Sequence, residues 1–456
     1  MAGDKDQAFT WLARTRSTEK IDMSQLAVDA DLVSLRDDPR FGALLPTPED
    51  FARPFVEPTT VLREWDGEHA NDQFGWIARP IGDVDGDGVP DVVTSAPTFG
   101  AGTAPSGRVY VYSTKTGREL WHADGQPGDQ LGIGVESAGD VNHDGIPDVI
   151  ASAPGGGYAK VYSGRNGSVL LTLRAEAPGD QFGRHASGLG DVNHDGYDDV
   201  IVGAPANAAG GKGAGRAYVF SGKDGSVLLT LTGEHAGDAF GASVAGATSA
   251  GHVTIIVGAP GAGAAKHGRA YVYDALNTTP HFVADADATG AAFAAMFVSV
   301  PGDLNGDGVP DVYVSDWSNA AMGPSTGRFY IYSGKDGHVL LTVTGEHAGD
   351  GFGDGAAIAG DVDGDGVPDL VVGAWQYAAV AASAGRVYLV SGKDGHVIRT
   401  YTCRVPGDTL GFDAVGMGDV DGDGTSDLLL TSGWSGVHGF HSGRVFVISS
   451  GLRRAR

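Results

Sequence analysis

The chain has 456 residues, a formal net charge of −26, 74 glycines and one cysteine, Cys403. The acidity excludes a nucleic-acid binder, which needs a basic face, and the single cysteine excludes an internal disulfide. Glycine without a three-residue period and a modest proline content exclude collagen and a disordered tract.

Residues 1–45 are poor in glycine and read as a helical segment. Asp4 to Arg16 places Ala8, Phe9, Trp11 and Leu12 at helical spacing, and Met23 to Leu35 continues the pattern. Asp38-Pro39 is a helix start, with proline in the first turn, for a helix running to Leu45. The run Asp31-Leu-Val-Ser-Leu-Arg-Asp-Asp-Pro-Arg-Phe41 resembles the tail that ends bacterial tetratricopeptide arrays. Residues 46–58, with four prolines, read as a linker. Met1 to Lys20 shows no basic-then-apolar export pattern, and no apolar run is long enough for a membrane-spanning helix. The chain is therefore expected to be cytoplasmic, or to be a fragment whose export signal is missing.

From Thr59 a period of about 56 residues governs the chain, and its clearest member is an acidic, glycine-rich nonapeptide. The first copy offers Asp83, Asp85, Asp87, the Val89 carbonyl and Asp91. The second offers Asp140, Asn142, Asp144, Ile146 and Asp148, and the third Asp191, Asn193, Asp195, Tyr197 and Asp199. After a double interval come Asp303, Asn305, Asp307, Val309 and Asp311. Asp361, Asp363, Asp365, Val367 and Asp369 follow, and then Asp419, Asp421, Asp423, Thr425 and Asp427. Charges this dense repel one another unless a cation sits among them, and five or six oxygens at about 2.4 Å suit Ca²⁺ better than Mg²⁺. Six sites are expected, and six such ions would bring −26 to −14. An EF-hand shares the first ligands but needs Glu at position 12, where these loops have Thr94, Ala151, Val202, Val314, Val372 and Leu430.

Each period also holds four short β-like runs. One follows Phe-Gly and enters the acidic loop. The next leaves the loop for a small-residue corner, as in Ser95-Ala96-Pro97. A third alternates strictly, as in Gly107-Arg-Val-Tyr-Val-Tyr112, and a fourth follows a tight turn, as in Ser221-Gly-Lys-Asp-Gly225 before Val227 to Leu231. Seven units of four strands make an all-β, seven-bladed β-propeller over residues 59–450, with 451–456 as a tail. The fourth unit lacks the acidic loop. The last unit stops after its third strand, Gly443 to Ser449, and Thr60 to Trp65 matches the missing fourth strand. The two chain ends are therefore expected to share one blade.

Phe74-Gly75, Phe182-Gly183, Phe240-Gly241 and Phe352-Gly353, with Gly203-Ala-Pro205 and Gly258-Ala-Pro260, resemble FG-GAP repeats like those of integrin alpha subunits. Leu131-Gly132 and Leu410-Gly411 vary the first half of the motif, and the fifth unit has only Ala292-Phe293-Ala294. The resemblance implies a seven-bladed ring with ions in the loops that join each innermost strand to the next. It also implies an extracellular or cell-surface location, although the residues themselves leave a cytoplasmic one open.

No catalytic constellation is found: there is no His-Glu-x-x-His run and no Gly-x-Ser-x-Gly elbow. His69, His235 and His347 recur in Gly-Glu-His-Ala turns, and Lys223-Asp224, Lys335-Asp336 and Lys393-Asp394 recur in hairpins, so both sets are read as structural. His143 and His194 stand at loop position 4, facing out. The expected function is a calcium-stabilised, non-enzymatic and monomeric scaffold that binds a protein or a glycan. The alternative is a carbohydrate-active module of the polysaccharide lyase or lectin kind, which would need a basic residue in the central channel. The corners after the second strands read Pro97, Pro154, Pro205 and Pro260, then Trp317, Trp375 and Trp434. The three indoles are expected to cluster on the face opposite the acidic loops, with Tyr377, His438, Phe440 and His441 beside them, as a ligand-binding rim.

Overall fold

A computed structural model describes residues 5–17, 26, 28–100, 102, 104–249 and 251–452. It shows seven four-stranded antiparallel sheets. In the first blade the strands run inner to outer as Ala78–Pro80, Val92–Ala96, Arg108–Tyr112 and Glu119–Asp124. The first strands of successive blades contact one another all the way round, and that of the seventh blade (Ala414–Gly418) contacts that of the first, so the ring is closed. The second strands are buried along their whole length, as in Asp148–Ala153 and Asp199–Ala204. Neighbouring blades cover both faces of these strands, so they read as continuous apolar runs, not alternating ones. The outer strands alternate between exposed and buried positions.

Closure follows the expectation from the repeat. Val61–Asp66 pairs antiparallel with Arg444–Ile448, with Trp65 opposite Val445, and completes the seventh blade. Arg444 is almost fully buried at this seam. It pairs with Glu64, with Asp66 at 3.1 Å and with the Phe51 carbonyl at 3.1 Å. Gly443, with φ at 89°, shows why glycine precedes each third strand: a Cβ there would lie 1.9 Å from the Phe74 carbonyl oxygen. In the fourth blade Ser243–Ser249 runs into His252–Ala259 with unbroken register. Blades two, three, five, six and seven show a register shift where the first strand meets the acidic loop.

Blades are also tied by arginines that head the third strands. Arg216 reaches Glu176 (2.7 Å), Arg386 reaches Glu346 (3.1 Å), and Arg108 and Arg269 reach Glu68 and Glu234 (both 3.5 Å). Each glutamate follows the outer strand of the preceding blade, in a Gly-Glu-His turn at Glu68, Glu234 and Glu346 and in Ala-Glu-Ala at Glu176, so this turn is a joint between blades. Its histidine contributes its backbone: the N–H of His69 donates to buried Asp72 at 2.9 Å, and His235 and His347 do the same to Asp238 and Asp350.

At the N-terminus a helix spans Lys5–Ser17, a 3₁₀ turn Ala30–Leu35, and short helices Pro39–Gly42 and Pro48–Ala52. Asp38 caps the second helix, which stops at Gly42 and not at Leu45. Of the helix expected from Met23 to Leu35, residues 23–25 and 27 lie outside the described residues, as do 1–4 and 453–456. Phe9, Leu35, Phe41 and Leu44 pack with Ala382 of the sixth blade. Phe55 bridges Cys403 and meets the Phe446 ring at 5.4 Å. The Glu57 carboxylate accepts from the Thr402 N–H at 2.6 Å, so residues 51–57 lie along the outer edge of blades six and seven.

Candidate metal loops and an aromatic channel mouth

The six acidic loops share one internal geometry. Asp83 accepts hydrogen bonds from the backbone N–H of Gly86 (2.7 Å), Asp87 (3.0 Å) and Gly88 (2.8 Å). Asp140, Asp191, Asp303, Asp361 and Asp419 likewise accept from the glycine at position 6 of their loops. The third-position oxygen accepts from the fifth residue, as Asp85 from Asp87 and Asn142 from Asp144, and the fifth accepts from the seventh, as Asp87 from Val89. The ninth residue is buried in every loop and staples two turns in five of them, whereas Asp427 accepts from Val420 and its Oδ1 is without a hydrogen-bond partner among the described residues. Asp91 Oδ2 accepts from Val84 and Asp85, and Oδ1 accepts from Thr114 at the base of the hairpin between the third and fourth strands. Asp148, Asp199, Asp311 and Asp369 repeat the second bond to Gly164, Gly222, Gly334 and Gly392. Positions 4 and 6 lie in the left-handed region: Gly86 and Gly88 have φ of 82° and 87°, and His143 and His194 adopt 57° and 61°.

The donor set fits a divalent cation. Carboxylate oxygens of Asp83, Asp85 and Asp91 lie within 4.8 Å of one another, as do those of Asp361, Asp363 and Asp365, and of Asp419, Asp421 and Asp427. These are the three loops with Asp at position 3. In the other three that place is taken by Asn142, Asn193 and Asn305. Burial and the neighbouring carboxylates push Asp91, Asp148 and Asp199 up to about 6 and Asp427 to about 7. Ionising a ninth-position residue beside its like-charged neighbours therefore costs energy that a bound cation would offset. Lys393 approaches Asp365 at 3.3 Å, so the recurring hairpin lysine lies against the loop as well as in its turn.

The corners lie at the other end of the strands, where the Phe-Gly glycine donates to the corner carbonyl: Gly75 to Ser95 and Gly132 to Ser152, both 2.9 Å. The three corner indoles meet as the blade order requires. Trp317 and Trp375 are 6.3 Å apart, and Trp375 and Trp434 are 5.2 Å apart and perpendicular. Trp317 and Trp434 are half-buried, whereas Trp375 is buried between them. Tyr377 is also buried, with its ring under the Arg386 guanidinium at 3.8 Å, so it drops out of the expected rim. His441 stacks on Trp434 at 5.2 Å and on Phe440 at 3.6 Å.

The sequence reading missed the residues beside this arc. The second residue after each Phe (or Leu) of the Phe-Gly position is Trp76, Ile133, Arg184, Ala242, Ala295, Asp354 and Phe412 in blades one to seven. All but Asp354 line the mouth of the central channel. Phe412 touches Trp76 (4.7 Å), Trp375 (5.7 Å) and Trp434 (6.2 Å), joining the mouth to the indole arc. Deeper, a channel cavity of about 300 Å³ contains Arg79, which pairs with Glu136 at 2.9 Å and with buried Asp413. The signal lay in the sequence as charged residues at a place that is otherwise apolar or small.

The sheets and the repeated loops define the class: an integrin-like FG-GAP β-propeller. An FG-GAP repeat model matches residues 74–112, 135–171 and 182–220, and an FG-GAP-like repeat model matches 303–372. The chain is 31% identical over 154 residues to integrin alpha-6 of Gallus gallus, covering 31% of this chain and 14% of that protein. It is 33% identical over 155 residues to integrin alpha-7 of Homo sapiens, covering 31% of this chain and 13% of that protein. Against integrin alpha pat-2 of Caenorhabditis briggsae it is 34% identical over 214 residues, covering 39% and 17%. The chain thus spans only a small part of these relatives. In fold it is similar to the crystal structure of BBS1N in complex with ARL6DN, soaked with mercury. The TM-score is 0.55 at 10% identity, covering 87% of this chain and 98% of that chain. Among the described residues no helix is long and apolar enough to cross a membrane.

Proposed function

We propose that the protein is a calcium-stabilised, non-enzymatic adhesion or recognition scaffold that works outside the cell as a monomeric propeller over residues 59–450. The ions occupy the six acidic loops, and a protein or glycan ligand lies on the opposite face. The observation that carries the ligand face is the pair of half-buried indoles, Trp317 and Trp434, held rigidly about Trp375. Rigid aromatic area costs little entropy to place in an interface. Replacing Trp317 and Trp434 with Ala should abolish ligand capture in glycan-array and cell-adhesion assays and leave the calcium-dependent melting curve in place. Unchanged capture removes the rim from the function.

A second reading, a polysaccharide lyase-like module, draws support from Arg79 and Arg184 in the channel, since such an enzyme needs a basic residue there. Arg79 is already neutralised by Glu136 and Asp413, which weighs against it as a base. Release of unsaturated uronate products from acidic polysaccharides would establish this reading, and their absence across a substrate panel would end it.

A further inference from the structure

Seven equivalent positions circle the channel mouth, and two of them carry charge: Arg184 and Asp354. Their surroundings differ sharply. Arg184 stays in the mouth, half-buried among Trp76, Ile133, Met296, Phe297 and Phe412. Among the described residues its guanidinium has no hydrogen-bond or ion-pair partner, and burial alone depresses its pKa. Asp354, the one carboxylate of the ring, is turned out of the mouth and fully buried beside the Trp375 indole and Asp413, and burial holds its pKa well above the usual carboxylate range. His185, directly beneath, cannot neutralise Arg184: it is itself neutral, its pKa pushed down to about 4 by burial and by Arg79 and Arg184, and its Nδ1 has no partner. A chain of net charge −26 therefore keeps an unpaired cation at the apolar centre of its aromatic face. An arginine in such surroundings costs desolvation energy that an anion returns, through the short, paired bonds a guanidinium makes to a carboxylate.

We infer that Arg184 is the recognition residue of a carboxylate subsite, and that the channel mouth receives an Asp or Glu side chain of a protein ligand lying on the adjoining indole arc. The inference rests on the scaffold reading above and names the chemistry of its partner. The recess at the mouth measures about 20 Å³, room for a carboxylate tip and little more. A glutamate or aspartate carries its carboxylate on methylenes that can reach into such a recess, whereas a uronate carries it directly on a bulky ring, which favours a protein side chain. The apolar wall of Trp76, Phe297 and Phe412 suits the methylenes of such a side chain and excludes the water that would screen the pair.

The test uses the full chain in calcium and titrates N-acetyl-glutamate α-amide against the isosteric N-acetyl-glutamine α-amide, read by saturation-transfer NMR and calorimetry. The acid should bind at least about tenfold more tightly than the amide. Arg184→Gln should erase that difference with an unchanged melting curve, and Arg184→Lys should retain part of it. Trp317→Ala with Trp434→Ala should leave it intact, since these indoles border the mouth without lining it. Equal affinity for acid and amide, or a preference that survives Arg184→Gln, overturns the inference. Saturable binding of glucuronate where the glutamate amide fails also overturns it, and gives the subsite to an acidic sugar. Loss of macromolecular capture in the indole variants with the carboxylate preference intact, or the reverse, separates failure of the rim from failure of the subsite.

Discussion

Asp91 does two jobs that substitution can separate. Its carboxylate faces the other acids of the loop, and it also satisfies the N–H groups of Val84, Asp85 and Thr114 from a fully buried position. Asp91→Ala should therefore cost about 3 kcal/mol even in chelator, because buried donors lose their partner. Asp85→Ala removes an exposed side chain and should cost stability mainly when calcium is present. Urea denaturation of both variants, with and without calcium, checks this; an equal cost for the two in chelator would refute the staple. His185 supplies a pH test. Its folded pKa near 4 is below the ordinary 6.5, so it folds neutral. As pH falls from 6.5 towards 4 the unfolded chain takes up a proton that the folded chain refuses, and stability is lost over that window. Raised acids such as Asp408, near 6 through burial, act in the opposite sense, so the comparison must be between variants. His185→Gln should recover about 2 kcal/mol at pH 4.5 relative to the parent's loss, and parallel stability–pH curves would contradict a buried neutral imidazole.

At the scale of elements, the sheet that joins the chain ends is the weak seam of a closed ring. Val61–Asp66 covers the edge of Arg444–Ile448, and Arg444 is neutralised by Glu64 and Asp66 on that same strand. Removing residues 1–52 takes away the helices and the Phe51 carbonyl but keeps Phe55, Glu57 and the closing strand. Removing residues 1–66 strips the edge and leaves Arg444 buried without those carboxylates, a loss of about 3–5 kcal/mol for the charge alone. The shorter truncation should melt within a few degrees of the full chain, whereas the longer one should aggregate or melt far lower. Equal melting of the two would mean that the seam does not hold the ring. The acidic loop is a second kind of element: five of its six copies come with a register shift, and the blade without a loop has none. The break in pairing frees the backbone to wrap round an ion, at the cost of ladder hydrogen bonds that the aspartates replace.

For the whole molecule, 21 of the 57 acidic residues stand at the candidate ligand positions of the six loops, all at one end of the strands. If ions fill those loops, chelation restores the repulsion in every loop-bearing blade at once. Melting should fall by well over about 10 °C, in one cooperative transition, because the blades share a closed ring. Metal analysis after dialysis should return six calcium ions per chain. Fewer ions would assign the missing ones to the Asn-bearing loops of blades two, three and five. A melting curve indifferent to chelation would dismiss the calcium reading altogether.

Local chemistry made much of this protein legible in its sequence. The period, the four strands, the displaced closing strand and the hydrogen-bonded carboxylate ladder of each loop depend on neighbours within a few residues, or on copies one period away. Sequence carries such relations directly. The arc of indoles was also readable, because blade order fixes which corners are adjacent. What remained hidden depends on packing round the axis. Whether Trp375 and Tyr377 stay open, why Gly-Glu-His must face the next blade's arginine, and that Arg79 finds Glu136 and Asp413 while Arg184 finds nothing are matters of which side chains converge. Arg79, Glu136, Arg184 and Asp413 come from blades one, two, three and seven, far apart in the chain. Only closure of the ring sets them face to face, and only burial there turns ordinary charged residues into a site.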